Sequence, residues 1–189
     1  MRTKLATLAA LVALGLNGCG GAGGGSTGYH PYDAPQISNA QKKEFLDAVN
    51  EARSQTQDCG TEGIFPPAPP LKWNDGLYSA AAEHSHDMAV TDHYEHEGSG
   101  TESDWTAKVQ KLGRPSEPWE RIYNSIGRDN VSTDENIAAE YSENIDEAMR
   151  DWIDSPHHCS QIMKMDYTHV GIAQEKGTWH YWSQEFYGE

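Results

Sequence analysis

Basic residues are scarce in this sequence: 14 Lys and Arg stand against 29 Asp and Glu, a formal charge of −15. No lysine or arginine stripe offsets that charge, so phosphate backbones and anionic bilayer surfaces are repelled and nucleic acid is excluded as a partner. Long apolar runs are lacking beyond the first segment, so no later stretch reads as a transmembrane helix. There is no internal repeat and no sign of a second domain. The nearest strings to catalytic signatures are Gly98-Ser99-Gly100 and His93-Tyr94-Glu95-His96-Glu97. Neither is G-x-S-x-G or H-E-x-x-H, so the nucleophile elbow and the helical zinc-protease pattern are absent. Cysteine occurs three times, at positions 19, 59 and 159. Aromatic residues are not lacking, and six of them are Trp. Side chains of that area supply a core and argue against disorder in spite of a hydrophilic average.

The N-terminus combines a basic start, Met1-Arg2-Thr3-Lys4, with an apolar run over 5–16, which is the form of a secretion signal. As a helix that run rises about 18 Å, short of the roughly 30 Å hydrocarbon core, so it is not a permanent span. It ends in Leu16-Asn17-Gly18-Cys19, which resembles the bacterial lipobox, where the cysteine becomes the diacylglyceryl-modified first residue of the mature chain. The alternative is ordinary cleavage near Gly18 with an incidental thiol. Six of the nine residues from Gly20 to Gly28 are glycine, a composition that buries nothing and serves as a tether; counted on to Pro35, its reach is roughly 20 Å. The organisation is therefore read as signal peptide over 1–18, lipidated Cys19 with a Gly-rich tether over 19–37, and one folded domain over 38–189. The expected location is the bacterial cell envelope, with lipid on Cys19 as the membrane attachment, most simply in the outer membrane, or secretion where Cys19 is unmodified. With Cys19 acylated, Cys59 and Cys159 remain as an even pair in an oxidising compartment and are expected to form a disulfide, against the alternative of two separate buried thiols.

Within the domain, Phe45, Leu46, Val49 and Ala52 recur at helical spacing from near Ser38. The Pro-rich segment over 65–70 separates this helix from a second, capped by Asn74 or Asp75, whose face is formed by Leu77, Ala81, His84 and Met88. A third short helix is expected over 104–112 with Gly113 as its stop, followed by a polar loop that runs to Thr133. Ile145, Ala148, Met149, Trp152 and Ile153 follow the i, i+3, i+4, i+7, i+8 pattern of a fourth helix. Two strands over 169–173 and 179–186 pair around Lys176-Gly177. Helices first and a sheet late imply an α+β fold.

Six motifs occur in register: Leu71-Lys72-Trp73-Asn74, His84-Ser85-x-x-Met88-Ala89, Glu135-Asn136-Ile137-Ala138, Trp152-x-x-Ser155-Pro156-x-His158-Cys159, Val170-Gly171-Ile172 and Tyr181-Trp182-x-Gln184-x-Phe186. In this order they resemble the CAP superfamily of cysteine-rich secretory proteins, antigen-five allergens and plant pathogenesis-related proteins, over roughly 40–187. The resemblance implies an α-β-α sandwich with a small central antiparallel sheet. It also implies a cleft with two histidines and two acids that in several members binds a divalent cation such as zinc. His96, Glu135 and His158 match three of those positions, whereas Ser155 stands where many relatives have a glutamate. Asp134 and His157 depart from the usual glycines. Members of the family also carry sterols or fatty acids or act through protein contacts.

The residues themselves support a cluster. With Ser155 as cap and Pro156 in the first helical position, His158 lies in the first turn, where the positive helix end disfavours the imidazolium. Neutral imidazole is what a metal requires. His96, His158 and Glu135 would give three ligands and an open position, or they only hydrogen-bond to one another. Asp134 and His157 are read as polar rim. A hydrolase can be written as Ser155, His158 and Glu135 in the roles of nucleophile, base and orienter, but a capping serine has its oxygen engaged by backbone amides. The loop over 113–133 is long and brings Trp119, Ile122 and Tyr123 to an exposed rim that would hold a lipid tail or a partner, or else folds back over the cleft or the sheet edge. The expected function is thus a ligand- or partner-binding module, with a hydrolase and a lipid carrier as alternatives. Mass spectrometry of native material is expected to find a chain that begins at an acylated Cys19; an unmodified Cys19 thiol in the mature protein refutes the anchor.

Overall fold

A computed structural model of the chain describes residues 28–188. The signal segment, Cys19 and residues 20–27 lie outside the described residues. Helix α1 (Asn39–Arg53) begins at Ser38, whose side chain accepts the Gln41 amide, as expected of an N-cap. A small hairpin of β1 (Gln57–Asp58) and β2 (Ile64–Phe65) leads into the Pro-rich segment and the short strand β3 (Lys72–Trp73). Asn74 then caps helix α2 (Asp75–Thr91) by accepting the Leu77 amide. The expected face of α2 is buried: Leu77, Ala81, His84 and Met88 are all within about 1 % of full burial.

Two expectations for the middle of the chain need correction. Helix α3 (Trp105–Gln110) ends at Lys111, which takes the left-handed conformation with φ 56° itself and leaves Gly113 outside the helix. The stretch read as a polar loop contains helix α4 (Pro118–Ile126). Pro118 in its first turn and the reciprocal Glu117/Glu120 capping box explain why it forms. Ile122 is fully buried from α4, and Tyr123 is partly buried, so of the expected rim only Trp119 stays exposed.

Strand β4 (Ser132–Glu140), helices α5 (Ile145–Asp154) and α6 (Pro156–Ile162), and the hairpin of β5 (His169–Lys176) and β6 (His180–Gly188) complete the chain. The main sheet has the order β3-β5-β6-β4. It is antiparallel except for the β3–β5 pair, which is parallel; the connection between those two strands is long and passes through α2, α3, α4, β4, α5 and α6. Alternation along β6 distributes the layers. Trp182 and Phe186 join α1, α5 and α6 on one face, while Tyr181 and Tyr187 meet α2 and α4 on the other. This is an α-β-α sandwich. The approach of α2 to the sheet is close enough that a Cβ on Gly171 would fall 2.1 Å from the Tyr78 nitrogen, so the Val170-Gly171-Ile172 motif requires its glycine.

Residues 29–37, counted with the tether in the sequence, lie against α2 and α4. Tyr78 donates to the Pro35 carbonyl at 2.7 Å, and the His30 amide and carbonyl both bond to the Asn124 side chain. The predicted disulfide joins Cys59 to Cys159 with Cα atoms 5.5 Å apart, fixing the start of α6 to the β1–β2 hairpin. The bridge spans 100 residues, for which the chain-entropy relation predicts about 4–5 kcal/mol of stabilisation. Replacing both cysteines by serine is therefore expected to lower the urea-unfolding free energy by about that amount; a loss below about 1 kcal/mol would mean that the denatured chain is already constrained.

Candidate functional site

Strand β4 is an edge of the sheet, and the two helical layers meet beyond it. Its residues alternate between those layers. Glu135 faces the α2–α4 side and Asn136 the α5–α6 side, where its Nδ2 reaches the Gln184 Oε1 at 2.9 Å and the His158 carbonyl at 3.5 Å. His96 arrives from the loop after α2 and His158 from the first turn of α6. Their ring centroids are 6.4 Å apart and the rings are edge-on. The cleft is thus assembled at one strand edge from three distant segments.

Each ring is held differently. His96 Nδ1 is 2.8 Å from Glu135 Oε1, which leaves Nε2 as the nitrogen open to a ligand. That hydrogen bond lifts the His96 imidazole above its usual pKa against the pull of burial. Burial pushes the His158 ring down to about 4, with help from His96 and His157, so it is neutral at physiological pH. Pro156 occupies the first position of α6 as expected, but the Ser155 side chain makes no capping bond.

Beneath the rings lies a buried polar network. Burial alone would favour protonated Glu135, but the Arg121 guanidinium and the His96 hydrogen bond reverse this and hold the carboxylate ionised, below the usual range. Arg121 Nη2 donates to Glu135 Oε2 and to the His96 carbonyl, both at 2.7 Å, and Nη1 donates to Ser116. Glu185 stands opposite Glu135 in the β4–β6 register. Burial, and then the charge of Glu135, pushes its carboxyl well above the usual value. Its Oε2 meets no partner, so nothing there stabilises an ionised oxygen. Burial likewise lifts Glu83 to about 7, where it accepts from the Thr106 amide and hydroxyl. His84, lowered to about 4 mainly by burial, stays neutral, so its 3.8 Å approach to Glu135 is not an ion pair.

The structure therefore brings His96, Glu135 and His158 together but gives Glu135 a different task from the expected one. Both its oxygens are engaged by His96 and Arg121, and among the described residues no group of three or more His, Cys, Asp or Glu is arranged to hold a metal. For the same reason Ser155, His158 and Glu135 do not form a relay: the acid orients His96, not His158. Ser155 lines a hollow of about 210 Å³ with Tyr94, Glu140, Trp152 and His158. A second hollow of about 230 Å³ lies along Thr133, Asp134 and Glu135, beside His96 and Trp119. Asp134 bonds to the Tyr167 hydroxyl, His157 approaches Gln161, and both line this second hollow.

The family model of the cysteine-rich secretory proteins, CAP, matches residues 46–186. The chain belongs to the CAP family. Solved CAP-type structures share the fold. An extracellular protein from Bacillus anthracis that contains an SCP domain superposes with a TM-score of 0.57 at 17 % identity over 82 % of this chain and 45 % of that one. An outer surface protein of Borrelia burgdorferi gives 0.55 at 16 % identity, covering 82 % and 98 %. A cysteine-rich secretory protein of Staphylococcus aureus gives 0.51 at 15 % identity, covering 82 % and 40 %. The CAP chain thus spans less than half the length of the Bacillus and Staphylococcus proteins and nearly all of the Borrelia one. No curated protein sequence matches it.

Sequence reasoning missed Arg121 and Glu185. The pattern Glu117-Pro118-x-Glu120 was the available sign of a helix that would carry Arg121. Glu185, flanked by Trp182, Phe186 and Tyr187 in a strand with aromatics on both faces, was a sign of a buried carboxyl. Glu135→Gln is expected to destabilise this CAP domain by about 3–5 kcal/mol, because Arg121 is left as an uncompensated buried charge. Glu185→Gln keeps a donor toward Glu135 and stays close to native at pH 5. A carboxyl raised in the folded state stabilises below its unfolded pKa and loses that contribution as pH rises through the folded value, so Glu185→Gln should gain on wild type by pH 8. Urea melts at the two pH values check both signs, and equal losses for the two variants would refute the assignment of charge.

Proposed function

We propose that this CAP protein is an exported, lipid-anchored binding module that seats its ligand in the β4 cleft, with a divalent cation such as zinc held between His96 and His158. The observation that carries this reading is the convergence of two imidazoles at 6.4 Å over an open cleft, one kept neutral by burial and the other oriented by a buried carboxylate. His96 through Nε2 and His158 would hold the ion. Glu135 fixes the His96 ring and tautomer from behind, the usual task of a carboxylate next to a ligating histidine. When bound, the cation would act as a Lewis acid that polarises an oxygen of the ligand, since two imidazoles leave coordination positions open. This replaces the three-ligand set expected from the sequence.

Binding is favoured over hydrolysis because Glu135 is engaged by His96 and Arg121, and among the described residues no acid is seen to orient His158 behind Ser155. Imidazole and carboxyl groups interrupt the lining of both hollows, so a lipid tail meets no continuous apolar wall. Attachment through Cys19 is the reading that the lipobox-like sequence supports, and residues 29–37 dock on the domain.

Calorimetric titration of the full mature chain at pH 7.5 is expected to show one zinc site. His96→Ala and His158→Ala should each weaken it at least tenfold, and Glu135→Gln by about 10–100-fold. Acidification should release the ion, because both imidazoles must be neutral to ligate. Zinc binding by the His96/His158 double variant that equals wild type would refute the site.

A further inference from the structure

The hollow on the Asp134 side of the histidine pair has a chemistry of its own. It is lined by Trp119, Thr133, Asp134, His157 and Gln161 next to His96. Trp119 is 48 % exposed, the most exposed of the six tryptophans, and presents an apolar aromatic surface to the hollow from the first turn of α4. Opposite to it in kind is Gln161, which is only 9 % exposed. One end of its carboxamide takes His157 Nε2 at 3.3 Å, and the other meets no partner within the protein. Turning the amide over only exchanges which end is stranded, since the ring nitrogen can serve either. A buried amide atom without a partner costs folding free energy, and the residue that carries it lines a hollow wide enough to admit a ligand group, which a turn of the carboxamide would bring within reach of that atom.

Charge narrows the class of that group. Asp134 is the carboxylate on the open side, and it already receives the Tyr167 hydroxyl and has Lys164 Nζ at 3.5 Å. Lys164 also compensates its charge, so the hollow demands neither a cation nor an anion. What remains is a demand for a neutral group with an apolar face and with hydroxyls able to donate or accept. A pyranose ring has both: axial C–H bonds to lay on the indole, and hydroxyls that satisfy whichever end of Gln161 faces them.

We propose that the Trp119–Gln161 hollow is a saccharide subsite, in which one sugar ring stacks on Trp119 and hydrogen-bonds to the unpaired end of Gln161, with Asp134 and His157 at its edge. This rests on the reading of the β4 cleft as the ligand seat. A volume of about 230 Å³ suits one ring of a longer chain, and a separate hollow of about 210 Å³, beside Tyr94 and His158, lies across the histidine pair from it. The ligand is therefore a neutral oligosaccharide.

The test titrates the full mature chain with chitohexaose and with cellohexaose, following tryptophan fluorescence and calorimetric heat, with and without zinc. At least one of the two oligosaccharides is expected to bind and to shift the emission. Trp119→Ala should weaken binding at least tenfold and abolish the spectral shift, and Gln161→Leu at least fivefold, while both variants take up zinc as wild type does. Because Trp119 is exposed, its alanine variant keeps the fold, and unchanged circular dichroism verifies this. His96→Ala should lose zinc and keep the saccharide. Binding of neither oligosaccharide, or equal binding by wild type and both hollow variants, overturns the subsite even where zinc binds normally. A Trp119-dependent response to spermidine in place of the sugars overturns it in favour of a cation seat. Loss of zinc binding alone removes the metal reading and leaves the subsite standing.

Discussion

One buried ion pair underlies the site. Arg121 comes from α4, Glu135 from β4, and the guanidinium also holds the His96 carbonyl and Ser116, so a single cation joins a helix, a strand and a loop that share no local sequence. In a region without water such a pair persists only if nearly every remaining polar atom is satisfied and the local charge is close to balanced. The neighbouring groups meet the second condition by staying neutral. Glu185 keeps its proton, and His84 does not take one up. A second ionised carboxylate beside Glu135 would leave Arg121 shared between two anions, and a charged His84 would stand near it as an uncompensated cation.

The pair reaches the surface through His96. Glu135 spends one oxygen on Arg121 and the other on the imidazole, so the buried cation and the exposed ring are coupled through one carboxylate. On the far side of β4 the constraint is covalent. The Cys59–Cys159 bridge secures α6 immediately after His158, and Asn136 touches the His158 carbonyl from the strand. Two layers with independent supports thus present one ring each over a sheet edge. An edge strand ordinarily invites pairing with another chain; here its flanks are covered by α4 and α6, and the uncovered part has become a cleft.

Much of this was legible in one dimension. The i, i+3, i+4 pattern of α5, the Asn74 cap and the apolar hairpin at the C-terminus were read as the elements they form. His96, Glu135 and His158 converge as the motifs implied. The reading failed at α4, where polar composition and a proline suggested a loop. Proline at a first helical turn followed by glutamate two residues on is a start signal, and missing it hid Arg121. It failed again over 29–37, where proximity to a glycine run concealed Tyr32 and His30, which bond to α2 and α4.

The amino-acid sequence by itself determined the α+β class and the disulfide partners, and the resemblance carried by its motifs implied the layers and the facing histidines, because periodicity, cysteine parity and motif order are properties of the chain. Only the tertiary structure decided what Glu135 does. Whether a carboxylate ligates, orients or pairs depends on which cation lies within 3 Å of each oxygen, and Arg121, fourteen residues away in the chain, arrives there through packing alone.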